Sequence, residues 1–520
     1  LHETVARGLQ SIWNIFPMLT FRSQIALFFI LGFVATSARA DEVPASVNTP
    51  LKLTLNEAIQ RALLKNYSIK VEGFNASIAS ARVTESRGKF DLTLSGNYTS
   101  SESYNPQLAG TGGIRPPAAF SQGEDYDINV GGLAPWGLTY RLGTSTANDR
   151  STFNYNGDNF LTFAGVSASQ PLLRNFGFTP TMATIRIAQT NRSISEWQFR
   201  QTVINTITNV IFAYNDLNFA YANLRSAIRS RDLATQLLEE NEKRFKTGSV
   251  SKHEVDIVRS RAAQREENIL FAEQNVRQTE NTLKQLTTDT RNPSLLSEKI
   301  VIEEPAPAPI VIVDPAADFR VALEKRPDFQ QAKLALKRDN INARLQRNQL
   351  LPQVDLTGSY GYNGYDTDLR TSRRQLRNED YHAYSWGVTV SVPLTFTTER
   401  GRYRAARLQE RQSEATQEQV EQNIVVLVGN AASQIETTQK RIHATRLARE
   451  LQQTTLDAEL KLLRAGQSSS YYVSQEQQLL TFAEVDEARA QSDYHKALAD
   501  YDRQLGVTLE KLNVVIQAPR

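Results

Sequence analysis

From Pro180 to Leu286, apolar and aromatic residues recur at alternating intervals of four and three. The series runs Val203, Ile207, Val210, Tyr214, Leu217, Tyr221, Leu224, Ile228, and after Gly248 resumes as Val255, Val258, Ala262, then Ile269, Ala272, Val276, Thr279, Leu283 and Leu286. A period near 3.5 held this long predicts helices that lie along other helices in a coiled coil. No proline falls between Pro180 and Pro293, and no glycine between Gly177 and Gly248, so nothing there breaks a helix. At about 1.5 Å per residue, a helix from Pro180 to Thr247 is roughly 100 Å long, too long for an ordinary domain core. The plan returns between Pro393 and Pro519, where Arg464-Ala465-Gly466-Gln467-Ser468 stands 218 residues after Lys246-Thr247-Gly248-Ser249-Val250. A duplication of this length predicts two structural repeats, each ending in a helical hairpin.

Ahead of each hairpin the period changes. Thr54 and Glu57 form a capping box that starts a short helix, and a second helix is expected from Tyr67 to about Arg87. From Gly88 the period is two: Phe90, Leu92, Leu94, Gly96 and Tyr98 on one face, Lys89, Asp91, Thr93, Ser95 and Asn97 on the other, a strand with one apolar and one wet face. Tyr104 to Gly123 reads as a loop. Alternation returns at Tyr126, breaks at Ala134-Pro135-Trp136-Gly137 and resumes at Leu138, giving the first repeat an extra strand pair between Tyr126 and Thr144. A further strand ends at Ser169-Gln170-Pro171-Leu172. In the second repeat, Val354 to Tyr362 leads into a polar loop, Gly364 to Asp380, and returns as Tyr384, Trp386, Val388, Val390 and Val392. Between the repeats lies a linker whose Pro305-Ala306-Pro307 run is extended, flanked by two candidate edge strands, Ile300-Val301-Ile302 and Ile310 to Val313. The expected divisions are 1–40 (leader), 41–287 (first repeat, strands 88–173, hairpin 179–287), 288–318 (linker), 319–506 (second repeat, strands 353–395, hairpin 398–506) and 507–520 (tail).

Composition narrows the class. The net charge of +3 and scattered Lys and Arg give no case for nucleic acid. The absence of cysteine excludes disulfides, thiolate metal sites and a cysteine nucleophile. No nucleophile elbow, phosphate loop or paired-histidine metal motif is present, so no enzyme, cofactor or metal is expected. Arg22, the apolar run from Ile25 to Ala35 and Ala38-Arg39-Ala40 read as an export signal cleaved after Ala40; a run of about eleven residues is too short to span a bilayer. With no apolar helix long enough to span, a membrane position requires strands. Strands of about ten residues with aromatics near their ends suit a membrane barrel wall. Four to six strands per chain cannot close a water-filled barrel alone, so several chains must share one.

Leu53-Thr54-Leu55-Asn56-Glu57-Ala58-Ile59, the Ser-x-Pro-Leu strand endings, and Arg244-Phe245-Lys246-Thr247-Gly248 followed by Glu254-Val255 together resemble the TolC-like outer-membrane efflux proteins over nearly all of the chain after the leader. The resemblance implies an α+β membrane protein: a homotrimeric outer-membrane β-barrel continuing into a periplasmic α-helical coiled-coil barrel. It also implies an exit duct for a tripartite efflux pump or type I secretion system, partnered by an inner-membrane transporter, a periplasmic adaptor (membrane fusion) protein and outer-membrane lipid. A periplasmic adaptor or a structural coiled-coil protein is the alternative, but neither calls for a duplicated hairpin with membrane-type strands.

The resemblance places adaptor docking at the tips, on Thr247, Gly248, Ser249 and Val250 and on Ala465, Gly466, Gln467 and Ser468. It places a periplasmic gate at His253, Glu254, Asp256, Leu463, Arg464, Tyr471, Tyr472 and Gln475. The chain departs from the family pattern there: Tyr472 and Gln475 stand at acidic positions of the gate, and Leu463 and Ser468 at its tyrosine and arginine latch positions. Tyr471 or Tyr472 is expected to narrow the lumen, and Glu254 to pair with a neighbouring cation.

Overall fold

The structure is a computed structural model that describes residues 51–108, 113, 117–293, 299–304 and 309–516. The expected export signal, the Pro305-to-Ala308 run and the end of the tail lie outside the described residues. Strand β1 (Leu51–Leu53) leads into α1 (Leu55–Lys65) and α2 (Tyr67–Arg87). The Thr54 capping box forms as expected: Glu57 N–H donates to Thr54 Oγ1 at 3.3 Å, and Thr54 N–H to the Glu57 carboxylate at 3.1 Å.

Four strands of the first repeat follow: β2 (Thr93–Asn105), β3 (Ala119–Leu133), β4 (Thr139–Ser151) and β5 (Asn159–Pro171). The first starts later than its alternation suggested. Gly88–Phe90 is a 3₁₀ turn closed by Asp91 N–H to Gly88 O, and Lys89 reaches Thr181 O and the Thr184 hydroxyl. That anchor ties the strand's root to the helices.

After the short helix α3 (Phe178–Thr181) come the rods α4 (Ala183–Lys246) and α5 (Lys252–Thr287), then β6 (Ile300–Ile302), α6 (Pro315–Lys325) and α7 (Pro327–Asn348). The second repeat supplies β7 (Gln353–Asp366), α8 (Leu369–Asn378), β8 (Tyr381–Ser391), α9 (Thr397–Arg464), α10 (Ser470–Leu505) and α11 (Thr508–Lys511). Two expectations fail here. The polar loop from Gly364 to Asp380 contains a helix, α8. The apolar run Ile310 to Val313 forms no strand, and Ile310 and Ile312 are exposed, because β1 pairs in parallel with β6 instead.

All the long strands join one six-stranded antiparallel sheet, ordered β2-β3-β4-β5-β7-β8. The extra strand pair is therefore part of the same sheet, and the first repeat contributes four strands to the second's two. Register puts Leu94, Val130, Leu142, Val166, Tyr360 and Tyr384 in one row across the sheet. Strand alternation then places Tyr98, Tyr126, Ile128, Tyr140, Leu356, Trp386, Val388 and Val390 on the same face. The opposite face is mostly Ser, Thr, Asn, Asp and Gly, with Leu161, Phe163, Tyr365 and Tyr381 at the end away from the rods. Strands β2 and β8 are the free edges, and most of both is exposed.

Below the sheet the rods lie four abreast. Near the strands the order is α2-α4-α7-α9; farther down α5 and α10 take the places of α2 and α7, giving α5-α4-α10-α9. The predicted seam is where α4 packs: Val203, Ile207, Val210, Tyr214 and Leu217 are all at most 1% exposed. Ile228, also predicted for the seam, is exposed. From there the buried positions of α4 are Ser226, Ser230, Ala234, Leu237 and Asn241, because the rod has turned its contact face to α10, where Ser226 and Arg229 bond Glu484 at 2.9 and 2.7 Å. Tyrosine hydroxyls clasp the β1–β6 pair and the linker at mid-length. Tyr214 Oη donates to Leu53 O or Glu303 O (3.2 and 2.7 Å), and Tyr494 Oη donates to Pro309 O at 2.7 Å.

Leu217→Ala is expected to lower unfolding stability by about 2–5 kcal/mol, the cost of a cavity in a packed seam, whereas Ile228→Ala should cost under about 1 kcal/mol. Denaturant unfolding of both variants in detergent checks the assignment; equal losses would reject it.

Candidate functional site

Each hairpin turns at its tip by the same device. In the first, Gly248 N–H donates to Phe245 O and Ser249 N–H to Arg244 O (both 2.9 Å), closing α4. In the second, Gly466 N–H donates to Leu463 O at 3.2 Å and Gln467 N–H to Leu462 O at 2.9 Å, closing α9. Both are Schellman caps. Gly248 and Gly466 have the same φ of +72°, and a Cβ at either would meet nothing within 4 Å. Backbone torsion, not crowding, therefore calls for glycine.

The next helices start differently. Ser251 caps α5 by accepting Glu254 N–H at 3.2 Å, whereas Ser469 makes no side-chain cap on α10. Thr247, Gly248, Ser249, Ala465, Gly466 and Gln467 are exposed; Val250 and Ser468 are half-buried, and the Ser468 hydroxyl bonds Glu459. Lys243, Arg244 and Lys246 end α4, and Lys461 and Arg464 end α9. Each tip thus presents cations where the helix carbonyls leave partial negative charge.

The gate residues divide into four groups. Leu463 is buried with Leu237, Val258, Leu456, Val473 and Leu480 in the core that joins the lower ends of the rods, so its side chain offers nothing to a lumen. His253, Asp256, Arg464 and Gln475 lie exposed along the rod surfaces. Glu254 is half-buried and, among the described residues, pairs with no cation. The expected ion pair forms nearby instead, where Arg259 meets Glu242 at 2.9 Å and Asp256 at 3.9 Å.

The tyrosines are the organised part. Tyr471 and Tyr472 meet edge to face with ring centroids 5.5 Å apart. The Arg261 guanidinium lies 4.5 Å from the Tyr471 centroid and donates to Tyr471 O at 3.0 Å, so a cation–π contact and a charged hydrogen bond fix that ring. Tyr472 carries no such tether and is 57% exposed. One turn on, Arg265 is buried against Gln478 (3.2 Å); burial, and secondarily the charge of Arg261, push its guanidinium down from the ordinary arginine value. Asn241, fully buried, faces Ser470 Oγ at 2.7 Å and ties α4 to the start of α10. Sequence reasoning missed Arg261, Arg265 and Asn241. The signals were available: Arg261 and Arg265 share a helix face at i, i+4, and Asn241 continues the spacing of Leu237.

A sheet with one apolar and one wet face, carried on two rod hairpins with matched tips, suits a channel protein of a membrane. The sequence signature of the outer membrane efflux protein family matches residues 134–288 and 319–507, and the chain belongs to that family. Its place is the outer membrane, with an extension into the periplasm. The fold is similar to that of the Campylobacter jejuni CmeC outer membrane channel (TM-score 0.65, 16% identity, 87% of this chain and 86% of that one). It is also similar to the outer membrane protein VceC of Vibrio cholerae (0.64, 16%, 87% and 96%) and to the open-state MtrE outer membrane channel of Neisseria gonorrhoeae (0.61, 18%, 88% and 89%). No functionally curated protein matches the chain by sequence.

Proposed function

We propose that three copies of this chain form a passive exit duct, fed by an inner-membrane transporter through a periplasmic adaptor in a tripartite efflux pump or type I secretion system. The observation that carries this is the six-stranded sheet with two unpaired edges, rooted on four rods abreast. Three copies give eighteen strands over twelve rods, and the two rings fit. A closed sheet of eighteen strands spaced about 4.8 Å and tilted about 40° has a backbone radius of roughly 18 Å. Twelve helices spaced about 9.5 Å make a ring of roughly the same radius. Twelve strands, the number two per repeat would give, close at roughly 12 Å and would pinch the duct at its mouth. The extra strand pair thus widens the barrel to match the helical tube.

Within this duct the tips at Thr247 to Val250 and Ala465 to Ser468 are the adaptor's landing points, being mostly exposed and closed by the same glycine cap in both repeats. The gate is aromatic: Tyr471 is held by Arg261 and Tyr472 projects into the lumen. This reading replaces the acidic ring and ionic latch that the sequence lacks. In planar bilayers the purified protein is expected to form pores, and Tyr472→Ala to raise both single-channel conductance and antibiotic leak; unchanged values for the variant would remove Tyr472 from the gate. A photoreactive residue at Ser249 or Gln467 is expected to capture a periplasmic adaptor in cells. Capture confined to residues midway along the rods would move the docking surface away from the tips.

A further inference from the structure

Helix α8 sits where a polar loop was expected, and it rests on the apolar face of the sheet. Ser372, fully buried, lies 2.7 Å from Thr162 Oγ1 and donates to Phe160 O at 3.1 Å. Gly364 makes that approach possible, since a Cβ there would stand 2.1 Å from Ser372 O. Tyr365 N–H donates to Gln375 at 2.8 Å, and Tyr362 Oη to Glu379 at 3.1 Å. Thr162 pairs with Gly364 across β5 and β7, and both lie on the face that carries Val166 and Tyr360. The helix is therefore docked on the outside of the wall.

Its height follows from the strand. From Val354 to Tyr362 the apolar face of β7 runs about 27 Å along the strand, or roughly 21 Å along the barrel axis, close to the apolar band of a membrane barrel. Tyr360, Tyr362 and Tyr384 mark its upper rim. Gly364, where α8 touches down, is about 7 Å farther along the strand, at headgroup level.

Arg370, Arg373, Arg374 and Arg377 fall within an arc of about 100° on α8, and all four are exposed. None makes an ion pair among the described residues; Arg374 donates only to Thr371 Oγ1 at 3.4 Å. The neighbouring carboxylates stand at the helix ends: Asp368 caps it through Thr371 N–H, Asp366 accepts Asp368 N–H, and Glu379 and Asp380 follow its last turn.

We propose that this arginine face binds the phosphate groups of a phosphorylated glycolipid of the lipid A type in the outer leaflet. The inference rests on the barrel reading above. Guanidinium groups take phosphate oxygens in pairs, and a rigidly seated helix presents four of them at the depth where such phosphates lie. The contact fastens the rim of the barrel to the leaflet.

The test uses the full-length protein in neutral detergent, with bisphosphorylated lipid A and its dephosphorylated form as probes, read by native mass spectrometry. Lipid A should bind wild type at least about tenfold more tightly than it binds the R370Q/R373Q/R374Q/R377Q variant. Dephosphorylated lipid A should be about tenfold weaker on wild type, a comparison that does not depend on any variant folding. Equal binding of the two probes by wild type, equal binding of lipid A by a folded variant, or equal competition by phosphatidylglycerol overturns the proposal. Pore formation in phosphatidylcholine bilayers, which contain no lipid A, reports on the barrel separately.

Discussion

Inside a bilayer a backbone amide has no water to bond, so every N–H and C=O of a spanning strand must find a partner in protein. One chain here cannot meet that demand. Its sheet ends in β2, thirteen residues long, and β8, eleven residues long, each with one side unpaired. The rods face a parallel constraint in water. Four helices abreast have two faces and two flanks, and a sheet of rods buries its apolar flanks only by closing on itself. The proposed ring of three chains meets both demands at once, and in it the extra strand pair lets the two rings close at the same radius.

Within a chain, a short parallel strand pair ties the linker to the first repeat. The β1–β6 pair is only three residues long and would be weak alone. It is held because Tyr214 and Tyr221, seven residues apart on α4, both send hydroxyls to its carbonyl groups and those beside it. Farther down, the rods share one small core around Leu463, and beyond it the tips turn on identical caps. Order therefore extends along the rods almost to their ends, and the proposed gate assigns opening to a few side chains near Tyr472.

Local rules made much of this legible in the sequence. The Thr54 capping box, the bounds of α2, the Pro135-Trp136-Gly137 turn, the alternation along β8 and the glycine breaks all depend on residues close in the chain. What escaped was set by distant partners. Helix α8 is hidden because four arginines in ten residues read as solvated loop; Ser372 and Gly364 reveal it only once β5 and β7 lie together. Ile310 to Val313 has strand composition but meets no strand. Ile228 keeps the spacing of the seam after the rod has changed neighbours. Leu463 aligns with a gate position by resemblance, yet it faces inward among the rods. The pairing of Arg261 with Tyr471 spans two helices 210 residues apart in sequence, and no local pattern announces it.

The central claim is ring closure through β2 and β8, and the chain's lack of cysteine allows a direct measurement. Single cysteines placed in turn along the wet face of β2, each combined with Thr389→Cys on β8, are to be oxidised in outer membranes and resolved in denaturing detergent. At the correct register the account predicts covalent products of two and three chains and none larger. Monomers alone at every position, or a ladder that continues past three, would contradict it.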